Sequence, residues 1–241
     1  MLKCSFCDSN EEIDENTPIC SECYDTFEKN QIPSFDLKEY FSGGLEKKLK
    51  EVDSLLFDLP ESYFLWYLKG HLEHELGESK KAMRSINTSI SYKQDFGDSW
   101  IRLGLVYSDM HRETDARENF KKGLDYELIV PSNLVDAGAS LQASDQPKLA
   151  AKVLEKALEL VPDDDRAIIT LAKVLVQTGE LQGAKLLMDK ALDLYPHNEE
   201  VLRSMAQVMM RMGDLDSAME MYSRILDQHP RDFEALLAKG E

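Results

Sequence analysis

From residue 63 onward the sequence repeats itself with a period of 34 residues. Gly70, Gly104, Gly138 and Ala172 form one column, which Ala206 and Gly240 continue. Ala82, Ala116, Ala150, Ala184 and Ala218 form a second, and Ile90, Leu124, Leu158, Leu192 and Leu226 a third. Pro162, Pro196 and Pro230 make a fourth, while Gly77, Gly179 and Gly213 mark a turn between two helical stretches. A unit of this size cannot bury its apolar face alone, so successive units must stack into a continuous core. Small residues such as Gly104 and Ala116 let paired helices approach closely. Trp100, Leu103, Tyr107 and Phe120 fill the space between them. The proline ends the second helix, because it lacks an N–H and clashes with the preceding turn.

A period of 34 with these columns resembles the tetratricopeptide repeat (TPR). The resemblance implies an all-α fold, a TPR helical solenoid in which helix pairs wind into a right-handed superhelix. Tyr63–Phe96, Gly97–Val130, Pro131–Asp164, Asp165–Asn198 and Glu199–Asp232 are five full repeats without an insertion. Residues 31–62 read as a linker and a degenerate capping repeat. There Leu45, Leu49, Val52, Leu55, Leu56 and Pro60 mark a second helix, with Lys48 in the alanine column. Residues 233–241 start a sixth repeat or form a C-terminal cap.

In such arrays the first helix of each repeat lines an inner groove. Its expected groove residues are Phe64, Tyr67, His71 and His74 in the first repeat and Ile101, Leu105 and Asp109 in the second. Val135, Ala139 and Gln142 follow, then Arg166, Lys173 and Gln177, then Arg203, Gln207 and Arg211. The groove thus runs from aromatic to small to basic. The basic end suits an acidic peptide segment; the competing reading is a solvated face, with some cations paired to Glu199 or Glu200. Repeats that hold the tails of large heat-shock chaperones use lysines and asparagines at positions filled here by Tyr67, His71, Arg102 and Leu105, so that specificity is not expected. His71, His74 and Glu75 share a helix face but lack a third metal ligand. The methionines crowded between Met205 and Met221 read as core filling.

All four cysteines lie in residues 1–30, as Cys4-Ser-Phe-Cys7 and Cys20-Ser-Glu-Cys23. Two C-x-x-C pairs complete the tetrahedral sulfur shell that zinc favours, leaving no open position for an activated water. The expected cofactor is a structural zinc, with iron a chemical alternative. Disulfides are disfavoured by the metal spacing. The segment holds few large apolar residues, so metal binding must supply most of its folding free energy. Cys23 precedes a helix-forming stretch, the layout of a treble-clef finger. Cys4-Ser5-Phe6-Cys7, Ser9, Ile19-Cys20-Ser21-Glu22-Cys23 and Phe27 resemble the zinc-binding domain of the unfoldase ClpX. The likeness covers about 30 residues, has a shorter spacer and carries Asp8 where that family usually has glycine. It implies docking of partners or homodimerisation through the zinc domain.

Charge and composition narrow the function. A net charge of −17 repels phosphate backbones, so nucleic-acid binding is not expected. Residues 1–30 themselves hold eight acids against Lys3 and Lys29. No apolar run approaches the roughly 18 residues of a membrane span, and the N-terminus lacks a signal-peptide pattern. A cytoplasmic protein is expected. No nucleophile elbow, phosphate-binding glycine loop, open metal shell or paired acid is visible, so the chain reads as no enzyme. The expected role is an interaction scaffold or adaptor; the alternative is the targeting or regulatory part of a larger enzyme or protease complex.

Overall fold

The computed structural model describes residues 44–240. Among them lie twelve α-helices and no strand beyond an isolated bridge between Phe96 and Glu127. None of these helices is long and apolar enough to cross a membrane. The four cysteines, and with them the expected treble-clef domain, lie outside the described residues. The chain divides into two compact units, with the division falling after Ser140.

Unit 1 contains α1 (Leu45–Asp58), α2 (Tyr63–Glu75), α3 (Ser79–Tyr92), α4 (Gly97–Asp109), α5 (Glu113–Leu124) and most of α6 (Pro131–Ala143). The helix pairs α2–α3 and α4–α5 pack closely because their crossing points carry glycine. A Cβ at Gly70 would lie 2.4 Å from Ile86 Cγ1, and one at Gly104 would lie 2.5 Å from the Phe120 ring. Helix α1 buries Val52 and Leu56 against Phe64, Leu65 and Leu68 of α2. Lys48, in the column filled by alanine elsewhere, is half-buried, and desolvation lowers the pKa of its ammonium.

Unit 2 contains α7 (Pro147–Leu160), α8 (Asp165–Thr178), α9 (Leu181–Leu194), α10 (Glu199–Met212), α11 (Leu215–Gln228) and α12 (Phe233–Lys239). Asp164, Asn198 and Asp232 cap α8, α10 and α12 by accepting backbone N–H groups through their side chains. Helices α7, α9 and α11 each end two residues before Pro162, Pro196 or Pro230, as expected when the residue before proline is pushed out of the helical region. One core runs through the unit from Ile168 and Ala172 to Ala218, Tyr222 and Ala235. Met188, Met205, Met209 and Met221 are buried in it, while Met210 and Met219 are exposed.

The turn column is more regular than its residues. Gly77, Gly179 and Gly213 have φ of 76°, 84° and 83°, and the equivalent His111 and Asp145 have φ of 58° and 54°. The left-handed turn is therefore kept in all five repeats, although only three place glycine there. Where the second repeat has no proline in the fourth column, α5 ends at Leu124 and residues 125–130 form an extended connection. Gly97 N–H donates to the Glu127 carbonyl at 2.8 Å, and Leu128 and Val130 are buried.

Candidate functional site

The aromatic end of the expected groove is closed. Phe64 and Tyr67 are 0% and 1% exposed, so the structure corrects their assignment from binding surface to core. Phe64 stacks on Tyr67 at 6.0 Å, and Phe96 meets the Tyr67 ring edge-on at 5.3 Å. Phe96 arrives from the far end of the repeat and covers the face that helical spacing alone assigned to the groove. Ile101, Leu105 and Val135 are buried as well.

Beneath those rings lies a polar network. Asn133 Nδ2 donates to Tyr67 Oη at 2.8 Å and to Asp98 Oδ1 at 3.3 Å, and its Oδ1 accepts from Arg102 Nη2. Asp98 also accepts the backbone N–H groups of Ile129 at 2.8 Å and Val130 at 3.2 Å. This is what holds the irregular 125–130 connection. Burial raises the Asp98 carboxyl to a pKa of about 6, against the lowering effect of those hydrogen bonds and of Arg102. Burial also pushes the Tyr67 phenol above its usual range.

His71 is 27% exposed at its side chain, with Nδ1 buried and 3.9 Å from Glu75 Oε1. Desolvation, helped by the positive charge of Arg102, holds its imidazole well below the usual pKa. It is a neutral ring at physiological pH. His74 Nε2 instead lies 2.8 Å from Asp109 Oδ2. No group of three metal-ligating side chains occurs among the described residues.

In unit 2, a pocket of about 570 Å³ opens between the C-terminal end of α6 and the inner faces of α8 and α10. Of the expected groove residues it takes in Gln142, Lys173, Gln177, Gln207 and Arg211. The pattern missed Ser204, Val176, Val208 and Met210, which give the pocket its other walls. They fall in the same helices, one position away from the expected stripe.

The four expected cations differ sharply. Arg203 is sequestered: Nη2 donates to Glu199 Oε1 at 2.5 Å and Asp232 Oδ2 at 3.1 Å, and Nη1 to Glu234 Oε2 at 2.7 Å. Desolvation opposes its charge, but these carboxylates dominate and raise its pKa. It ties α10 to the cap of α12 and lies outside the pocket, which corrects its assignment as a groove cation. Arg166 is exposed at the start of α8, is already engaged, and also lies outside the pocket. Lys173 lines the pocket and pairs with Glu200 at 3.0 Å. Arg211 lines it, exposed, with no ion-pair partner among the described residues. Gln177 donates to Asp145 at 3.0 Å, whereas the Gln142 and Gln207 amides have no hydrogen-bond partner there. The pocket thus offers two open amides, one open guanidinium and one exchangeable ammonium beside an apolar wall.

Helix pairs with 12 to 14 residues per helix, stacked on small-residue columns with a polar pocket on the first helices, define a helical-repeat protein. Two family models, both described as tetratricopeptide repeat, match residues 65–96 and residues 141–189 with 179–240, together more than half of the chain. The chain belongs to the tetratricopeptide-repeat family. Among solved structures it is similar to YrrB, "a TPR protein with an unusual peptide-binding site", at 20% identity and a TM-score of 0.65, over 79% of this chain and 98% of that one. It is similar to PilW, a type IV pilus biogenesis factor, at 16% identity and 0.64, over 93% and 99%. MamA from Desulfovibrio magneticus RS-1 aligns at 21% identity and 0.58, over 70% and 97%. No curated protein matches the sequence.

Proposed function

We propose that this protein is an interaction scaffold that binds a peptide segment of another protein in the unit 2 pocket. The observation that carries the reading is the set of unpartnered groups at Gln142, Gln207 and Arg211 around one cavity. Amide side chains present a donor and an acceptor together, which matches a peptide main chain. The guanidinium selects a carboxylate, so the favoured segment carries an acidic motif. That YrrB is described as having a peptide-binding site supports the reading. The overall charge of −17 disfavours partners that are acidic throughout and favours a short motif.

A labelled Ser-Glu-Val-Glu-Ser peptide, compared with its Ser-Gln-Val-Gln-Ser counterpart by fluorescence anisotropy on the whole protein, tests this. The acidic peptide should bind more tightly, lose affinity with added salt, and lose most of it on Arg211→Glu. Equal binding of both peptides would remove the acidic specificity.

We further propose that Cys4, Cys7, Cys20 and Cys23 hold one structural zinc per chain and that this domain docks a second partner or dimerises. The donor set supports it: four thiolates in two C-x-x-C pairs form a closed shell. Elemental analysis should return about one zinc per chain, in line with a single such shell. A native protein with four titratable thiols would defeat the assignment.

A further inference from the structure

One of the cations lining the pocket already holds a carboxylate. Lys173 reaches across from α8 to Glu200 in the first turn of α10, at 3.0 Å. The pair is partly solvated on both sides, with side chains 38% and 61% exposed. We propose that Glu200 is a resident competitor, occupying the ammonium an acidic partner segment needs, so that binding proceeds by exchange of one carboxylate for another on Lys173. This rests on the peptide-binding reading above and specifies how that site is regulated.

Three observations carry the exchange. The first is location: Lys173 and Arg211 line the same cavity, so a segment seated there faces both cations. The second is the weakness of the bond to be broken. Partly exposed ion pairs gain little over solvated charges, because water and salt screen them and two long side chains must be ordered. The third is the contrast with Arg203 on the same helix as Glu200. Arg203 is 18% exposed and holds three carboxylates, one of them the cap of α12, so no incoming carboxylate displaces them without loosening a helix. Lys173 holds one, and Glu200 needs no replacement partner: its carboxylate returns to water near the N-terminus of α10, where the helix dipole still favours it. The exchange replaces one carboxylate on Lys173 with another, so it discriminates by fit. A segment must offer one acid to Arg211 and a second in reach of Lys173 to gain from displacing Glu200. Segments with a single acid leave the resident pair intact.

The test is a cycle of variants read by anisotropy with the same labelled Ser-Glu-Val-Glu-Ser peptide. Glu200→Gln should tighten binding about two- to five-fold, the range a partly exposed ion pair supplies. The gain should vanish in the Lys173→Gln background and with a Ser-Glu-Val-Gln-Ser peptide. Both side chains are at the surface, and far-UV circular dichroism should confirm that the variants keep their helices. Unchanged or weaker binding by Glu200→Gln, with Arg211→Gln still weakening the acidic peptide, overturns the exchange and leaves the peptide-binding reading intact. A gain that persists without Lys173 also overturns it, since it then reflects only lower net negative charge. If Ser-Glu-Val-Glu-Ser and Ser-Gln-Val-Gln-Ser bind the unaltered protein alike, the acidic reading and the exchange fall together.

Discussion

In the first unit Tyr67, Asp98, Arg102 and Asn133 are buried and bond mainly to one another, whereas in the second Gln142, Gln207 and Arg211 line a pocket and have no such partners. Both sets sit on first helices of repeats built to the same pattern. What separates them is the aromatic content above. Phe64, Tyr67 and Phe96 close over the polar groups of unit 1, and desolvation then forces those groups to pair internally. In unit 2 the equivalent positions hold Arg166 and Glu200, Ile169 and Arg203, and Asn198 and Asp232, so no aromatic lid forms there and the pocket side chains stay open. One repeat architecture thus yields a sealed, self-satisfied core and an available site, depending on a few large side chains.

The sharpest way to break that comparison is to remove one of them. Phe64→Ala should cost about 3–5 kcal/mol, the usual range for a large aromatic lost from a sealed core. Trp66 and Trp100 are the chain's two tryptophans and both lie in unit 1, so their fluorescence during denaturant unfolding reports that unit alone. A loss below about 1 kcal/mol, far short of that range, would mean that the aromatic lid is not what seals the unit.

Next in size is the effect of pH on the buried acid. The Asp98 carboxyl rises from an ordinary pKa of 3.8 to about 6 on folding. A raised carboxyl pKa stabilises the protonated folded form. Its contribution is therefore full below about pH 4 and is lost as pH rises through about 6. A rise of that size corresponds to about 3 kcal/mol at most. Asp98→Asn should remove this share of the slope in tryptophan-detected stability between about pH 4 and pH 7, and an unchanged slope would assign it elsewhere.

A third expectation concerns the sequestered cation of unit 2. Arg203→Gln leaves Glu199, Asp232 and Glu234 facing one another without their guanidinium, and charged hydrogen bonds contribute about 1.5–3 kcal/mol. Amide exchange in α12 should accelerate accordingly. Arg211→Gln, which breaks no ion pair among the described residues, should leave that exchange unchanged. Equal acceleration by both would erase the distinction drawn between the two arginines.

The repeat and its helix pairs were legible because they rest on local, periodic residues: glycines 70 and 104 at crossings, prolines 162, 196 and 230 after second helices. The site was half legible. Period 34 placed Gln142, Lys173, Gln177, Gln207 and Arg211 on the inner face, and they do share a pocket. It could not separate inner face from interior at Phe64 and Tyr67, since their cover is Phe96, about thirty residues away. The pairing of cations is equally non-local: Glu200 lies 27 residues from Lys173, and Glu234 lies 31 from Arg203. Glu199 and Glu200 were the expected competitors for the basic end, and they do hold Arg203 and Lys173. The 125–130 connection left no periodic trace, because the carboxylate that organises it, Asp98, is a full repeat earlier.

The smallest expected effect tests how far the period governs the backbone itself. His111 and Asp145 hold the left-handed turn that glycine holds at 77, 179 and 213. Both are exposed, so neither conformation is imposed by packing of the side chain. For a residue with a Cβ that conformation costs about 1–2 kcal/mol. Glycine removes the cost but gives back about 0.5–1 kcal/mol through its freer unfolded chain. His111→Gly should therefore gain about 0.5–1 kcal/mol, visible in tryptophan-detected unfolding of unit 1. Asp145→Gly removes the same strain in unit 2 but also the acceptor that holds Gln177 at 3.0 Å. A hydrogen bond to a charged group at an exposed site offsets most of the gain, so its net change should be near zero. The freed Gln177 amide would then join Gln142 and Gln207 as an open group in the pocket. If His111→Gly destabilises the protein, the turn at 111 is held by its side chain rather than merely tolerated, and the equivalence of the five turns fails at the second repeat.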